Sequence, residues 1–313
     1  MIKQRTKQGE KHPVKQRPKA SEKQPAKQRI ARRLKSPFFK GAFFLICYAI
    51  FSSLNDVCMK LTTTNEIDTL FLRHLSANIF LLPFIIKSRP KITLQRTRNH
   101  LLRAIIFAMA MLCYISALKQ LPLAVVVAIN FSIPLFVVLF ACTLLGEKWR
   151  GRMLSVAIGF AGILIVCIHS LIGVSSNYTH ILIMLLATIL FALLDIFNKY
   201  LLNNDEPLTI MLFASNLFIT LFCLPFFSYT MPTNPLLFAY LGLGANLVLY
   251  CLLRAWNSYD ISALQPIKYI EFPLALLFGS IVFQDATHFT TIIGVLIMFS
   301  AIVMNIIHEY KKK

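Results

Sequence analysis

The chain has 313 residues, of which 57% are hydrophobic and only 14% charged, against about 25% charged in an ordinary soluble domain. The deficit runs from Phe38 almost to the last residue, which excludes a soluble domain carrying one anchor helix. The net charge of +19 suggests nucleic acid only until its distribution is read, because fourteen of the 32 Lys and Arg residues lie in positions 1–40.

Residues 1–38 interleave these basic residues with Gln, Pro and Ser, and only Glu10 and Glu22 oppose them. Such a segment has too little apolar surface to fold, so it is read as a disordered cytoplasmic tail that sets topology, with no nucleic acid expected as partner. The basic stretch is too long for a signal peptide and no small-residue cleavage site follows Leu45–Phe51. The first apolar run is therefore read as a retained helix.

At about 20 residues per span, the remaining chain holds roughly ten transmembrane helices. A first set of apolar windows falls near 39–62, 67–87, 100–118, 122–145 and 151–171. A second set falls near 179–202, 208–227, 235–255, 262–283 and 288–308. The expected domains are thus the tail, a first five-helix repeat (39–171), a second (172–308) and a basic cytoplasmic C-terminus (309–313). With the N-terminus inside, 28 of the 32 basic residues fall on cytoplasmic parts, and the outer loops 170–180 and 228–235 carry none. Both termini are then cytoplasmic, in a bacterial inner membrane whose bilayer is the chain's main environment.

The two sets of spans resemble each other. Span 1 carries Asp56 and Lys60 after an apolar run, and span 6 carries Asp195 and Lys199 in the same way. Leu82-Pro83-Phe84 matches Leu224-Pro225-Phe226, and Ile133-Pro134-Leu135 matches Phe272-Pro273-Leu274. The distance from Asp to the last of these prolines is 78 residues in both halves. Five spans are an odd number, so the second half enters the membrane upside down relative to the first. The expected fold is all-α, ten transmembrane helices as two inverted five-helix repeats. Inverted repeats are a mark of secondary transporters, with a small-molecule site near the midplane between halves.

Ionisable residues inside a membrane are costly and mark function. Asp56–Lys60 and Asp195–Lys199 each sit one helical turn apart and are read as i,i+4 ion pairs, one toward each face, able to act as gates. Span 9 concentrates more chemistry: Gln265-Pro266-Ile267-Lys268-Tyr269-Ile270-Glu271-Phe272-Pro273. Pro266 and Pro273 each remove a backbone donor, which is tolerated only where protein or water satisfies the freed carbonyls. The equivalent stretch of span 4, Asn130-Phe131-Ser132-Ile133-Pro134, is polar but uncharged, with Ser132 opposite Glu271. Arg73-His74 opens span 2 and reads as an interfacial anchor or a vestibule residue; Arg254 and Trp256 read as anchors at the end of span 8. No metal-ligand spacing, nucleophile motif or phosphate loop is present, so no cofactor, metal site or enzyme activity is expected.

These landmarks resemble the drug/metabolite transporter superfamily, EamA type, over residues 40–308. A narrower resemblance is to the S-adenosylmethionine uptake transporters of obligate intracellular bacteria. It rests on Asn55-Asp56-Val57 with Lys60, on Phe131-Ser132-Ile133-Pro134-Leu135-Phe136, on Leu194-Asp195-Ile196 with Asn198-Lys199, and on Pro266-Ile267-Lys268-Tyr269-Ile270-Glu271. Those transporters carry Arg-Tyr-Leu-Glu at the last site, so Lys268 and Ile270 are departures, and Lys lacks the planar fork of Arg. The resemblance implies uptake of S-adenosylmethionine, in exchange for S-adenosylhomocysteine, by alternating access. It places Glu271 at a cationic centre, Lys268 at the carboxylate, and Tyr269, Phe272 or Phe131 against adenine or the sulfonium. The alternative within the superfamily is a proton-coupled exporter of amino acids or other metabolites, with Glu271 carrying the proton. A membrane-embedded enzyme is the remote one.

Overall fold

The computed structural model describes residues 37–88, 94–121, 126, 129–148, 151–171, 178–228, 234–283 and 289–311. The basic tail expected before Pro37 lies outside the described residues. Eleven α-helices and no strand are found among them: α1 Pro37–Lys60, α2 Glu66–Ser88, α3 Leu94–Gln120, α4 Ile133–Leu144, α5 Arg152–Leu171, α6 Tyr178–Asn203, α7 Leu208–Cys223, α8 Pro235–Ser258, α9 Ile261–Lys268, α10 Glu271–Phe283 and α11 Phe289–Lys311. A 3₁₀ turn, Leu224–Phe226, extends α7.

Six of these helices are long and apolar enough to cross a membrane, and α4 and the stretch Arg152–Val166 of α5 are shorter apolar segments. Helix α3 is 27 residues long, or about 40 Å at 1.5 Å per residue, and its first turns carry Arg96, Arg98, His100 and Arg103. The ninth span is built from α9 and α10 end to end. Outward-facing side chains are large and apolar: Phe43, Phe84, Leu182, Leu236 and Leu296 are each more than half exposed. Such a surface is a liability in water and a match for hydrocarbon. The chain is an integral, multi-pass membrane protein.

Packing between helices obeys the repeat. Helix α5 packs on α11, α2 on α7 and α4 on α9, so equivalent spans of the two halves meet. Helix α1 packs on α8 as α6 packs on α3, and α8 on α2 as α3 on α7. Each of these contacts has its counterpart when the halves are exchanged, as a pseudo-two-fold axis requires. At the α5–α11 seam a Cβ on Gly162 would stand 2.7 Å from the Gly294 carbonyl oxygen, and one on Gly294 2.5 Å from that of Gly162. Two backbones therefore touch where only glycine fits.

Halves differ at one proline landmark. Pro83 lies within α2, which runs on to Ser88, whereas Pro225 sits in the 3₁₀ turn that closes α7.

Phe38 packs edge-on against Tyr259 at 5.5 Å, and Tyr259 donates to Glu309 at 3.0 Å. Both ends of the described chain thus share one end of the bundle, the near end. There, buried Arg152 at the start of α5 pairs with Glu309 at 3.1 Å, Asp260 at 2.8 Å and Glu147 at 3.6 Å. Glu147 also accepts from the backbone N–H groups of Ile261 (3.0 Å) and Ser262 (2.9 Å) and from the Ser262 hydroxyl. From the connection between α4 and α5 it caps the N-terminus of α9, where orphan donors favour an anion. At the far end, Asn65 caps α2, and Asp68 accepts from the Ser228 N–H at 2.9 Å.

Candidate functional site

The break in the ninth span positions the charges that the sequence singles out. Pro266 cannot donate to the helix, and the chain passes through Tyr269-Ile270 with i→i+3 bonds: Ile270 N–H to Ile267 at 3.1 Å and Phe272 N–H to Tyr269 at 3.3 Å. The fourth span repeats this device: Phe131-Ser132 form the turn before α4, with Ser132 N–H bonded to Ile129 at 3.0 Å and Leu135 N–H to Ser132 at 2.9 Å. The two breaks face each other, because Phe131 lies 6.5 Å from the Tyr269 ring and 5.3 Å from that of Phe272.

Three residues make one near-full turn, so 268 and 271 share a face, and 269 and 272 share the next. The first face looks into a cavity of about 410 Å³, within the range of small-molecule sites. Its wall draws on both halves: Tyr48, Ser52 and Asp56 from α1; Arg73 and His74 from α2; Arg103, Phe107 and Tyr114 from α3; Asn130 from the break before α4; Phe191, Asp195 and Asn198 from α6; Asn216 from α7; and Lys268 and Glu271. Three carboxylates and three permanent cations line it. Phe107 and Tyr114 both meet Phe191 edge-on, at 6.2 and 6.4 Å, forming an aromatic wall.

The charges have distinct partners. Lys268 Nζ pairs with Asp195 at 3.5 Å and lies over the rings of Tyr48 (5.6 Å) and Trp256 (5.9 Å). The Glu271 side chain is within hydrogen-bonding reach of Ser52 and Tyr48. Arg103 donates to the Met211 carbonyl. His74 Nδ1 meets Asn216 Oδ1 at 2.8 Å, Asn216 donates to Asn246 Oδ1 at 2.8 Å, and Asn246 donates to the Ala77 carbonyl at 2.8 Å. That carbonyl only accepts, which orients both amides and makes His74 Nδ1 a donor.

Several sequence expectations need correction. Asp195 and Lys199 do not pair: Asp195 turns to Lys268, and Lys199 Nζ donates to the carbonyls of Trp256 (2.5 Å) and Tyr259 (2.9 Å). The end of α8 leaves carbonyls without intrahelical donors, and a long cationic side chain satisfies them. Tyr269 and Phe272 are buried behind the cavity with Val156, Ile163 and Met298. The Tyr269 hydroxyl donates to the Val156 carbonyl at 3.1 Å. Ser132 is turned away, donating to the Ile129 carbonyl at 2.5 Å. Trp256, expected as an interfacial anchor, is fully buried. The Lys60 side chain lies outside the described ones. Asp56, Asn130, Asn198, Lys268 and Glu271 do reach the cavity, and so does Arg73. Tyr48, Ser52 and Asp56 were legible as a polar stripe at i, i+4 and i+8, while Asn216 and Phe107 had no signal beyond lying in apolar spans.

The sequence model of the EamA-like transporter family matches the chain twice, over residues 39–168 and 179–307. The chain belongs to the EamA-like transporter family. It is 30% identical over 272 residues to an S-adenosylmethionine uptake transporter of Rickettsia felis, covering 83% of this chain and 90% of that one. To the S-adenosylmethionine uptake transporter of Rickettsia prowazekii it is 27% identical, covering 88% and 95%. A riboflavin transporter of Brucella anthropi is 28% identical over 69% of this chain and 79% of its own. A solved crystal structure superimposes with a TM-score of 0.73 at 14% identity, covering 87% of this chain and 98% of that one, which supports the fold.

The two family matches coincide with the two five-helix sets, so in this EamA-like transporter each copy of the unit contributes one wall of the cavity. The function is transport of a small metabolite, and the chain is not an enzyme.

Proposed function

We propose that this EamA-like transporter takes up S-adenosylmethionine across the bacterial inner membrane, in exchange for S-adenosylhomocysteine, by alternating access around the cavity between its halves. The observation that carries this reading is the cavity wall: three carboxylates, three cations and an aromatic face in one enclosure. S-adenosylmethionine carries a sulfonium, an ammonium, a carboxylate and an adenine, and so presents a partner for each. A neutral flavin would leave the charges unmatched, which favours the first pair of relatives over the riboflavin transporters. Glu271 is assigned to a cationic centre of the substrate. The ring assignment passes from Tyr269, Phe272 and Phe131 to the Phe107–Tyr114–Phe191 wall, whose faces and edges line the cavity.

For alternating access the two ends must open in turn. The near-end ties, Arg152 with its three carboxylates and Lys199 with the α8 carbonyls, act as the inner closure. The Asn65–Asp68–Ser228 ties act as the outer one.

The test is uptake of radiolabelled S-adenosylmethionine by cells expressing the chain, with and without excess cold S-adenosylhomocysteine outside. Saturable uptake suppressed by the competitor is expected, together with release of preloaded labelled substrate on adding cold substrate outside. Uptake that needs a pH gradient and no internal counter-substrate would replace exchange with proton coupling. No uptake by inserted protein would reject the substrate.

A further inference from the structure

Among the cations of the cavity, Arg73 is the one without an anionic or carbonyl partner. Lys268 is held by Asp195 and Arg103 by the Met211 carbonyl. Arg73 Nη1 rests only on the Met59 thioether at 3.2 Å, its Nε is buried with no hydrogen-bond partner, and no carboxylate of the described residues comes within 4.0 Å. Asp56 lines the same cavity, open to its space, and among the described side chains it has no hydrogen bond or ion pair; its electrostatic neighbours there are Arg73 and Glu271. A guanidinium whose Nε is buried without a partner and a carboxylate exposed to the cavity thus stand near each other, too far apart to pair. Leaving buried charge unmatched is costly. A ligand bearing both signs on adjacent atoms would satisfy both at once, and an α-amino acid carries its ammonium and carboxylate on one carbon.

We propose that Arg73 and Asp56 form the subsite for the α-amino-acid head of the substrate, with the planar fork of Arg73 on the carboxylate and Asp56 on the ammonium. The proposal rests on the transport reading above and moves the carboxylate from Lys268, which Asp195 already occupies, to Arg73. It leaves Glu271 for the sulfonium and the aromatic wall for adenine. It also defines the substrate class more sharply: the transporter requires a free amino-acid end and discriminates against nucleosides that lack it.

The experiment measures binding of labelled S-adenosylmethionine to the purified full chain, with 5′-methylthioadenosine, an adenine nucleoside without the head, as competitor. Arg73→Gln is expected to weaken S-adenosylmethionine binding by about tenfold or more while the nucleoside competes at an unchanged concentration. Arg73→Lys keeps the charge and loses the fork, and falls between. If wild-type protein binds no S-adenosylmethionine, the transport reading fails and takes the subsite with it. If wild type binds and Arg73→Gln loses less than tenfold, the subsite alone is wrong. Loss of both ligands together assigns Arg73 to packing and also overturns the proposal.

Discussion

Lys268, Tyr269, Glu271 and Phe272 stand within five consecutive residues, yet they do two different jobs. Lys268 and Glu271 meet the cavity; Tyr269 and Phe272 fill the space between the broken spans and α5, where the Tyr269 ring lies so close that a Cβ on Gly159 would stand 2.4 Å from it. Substitutions should separate accordingly. Glu271→Gln keeps the shape and an oxygen that accepts from Ser52 and Tyr48, so it is expected to lower uptake about tenfold or more with little change in thermal unfolding. Tyr269→Phe removes a hydroxyl bonded to the Val156 carbonyl, at a cost of about 1 kcal/mol, and is expected to lower the melting temperature while uptake per inserted molecule persists. If both variants lose uptake in proportion to their stability, the division of labour is wrong. The spacing of the charges was readable from sequence. The side each face would meet was not, since a 100° step separates the faces but only the neighbouring helices decide which one finds open space.

Prolines at 134, 266 and 273 told the same story one level up. They marked where helices α4, α9 and α10 begin or end, and the breaks before α4 and before α10 were visible as matched motifs. The partners that hold these elements lie far along the chain: Glu147 caps α9 from 114 and 115 residues away, and Arg152 reaches Glu309 across 157. No local pattern in Gly146-Glu147-Lys148 announces that this loop caps a distant helix. Arg152 is 2% exposed, so replacing it with Met leaves the buried carboxylates of Glu147 and Glu309 without their cation. The expected cost is about 3–5 kcal/mol, read as a lower unfolding temperature in detergent. Replacing Glu147 by Gln, whose single amide oxygen can still accept from Ile261 or from Ser262, is expected to cost less. A stable Arg152→Met protein with an unchanged melting temperature would remove the near-end cluster from the list of structural ties.

The pairing of α5 with α11, α2 with α7 and α4 with α9 leaves the molecule nearly symmetric in packing while its charges are not. Fold was legible because the repeat is written in apolar windows and matched landmarks; the cavity wall was less so, because it is assembled from eight spans that contribute two to five residues each. Orientation is the remaining asymmetry, and the basic residues are the ground on which we propose it: the near end, with Arg96, Arg98, Arg152 and Lys311, toward the cytoplasm, and the far end, with Ser228, toward the outside. In a cysteine-free background, a membrane-impermeant maleimide is expected to label Ser228→Cys in intact cells and Lys311→Cys only after permeabilisation. The reverse pattern would turn the molecule over. With the expected orientation, Arg73 and Asp56 lie on the outward side of the cavity, near the start of α2 and the end of α1, whereas Asn198 and Arg103 lie on the inward side. If the amino-acid head docks as proposed, it meets the Arg73 guanidinium and the Asp56 carboxylate before the Lys268–Asp195 pair, and the proposed order of engagement is charge first and ring contact second.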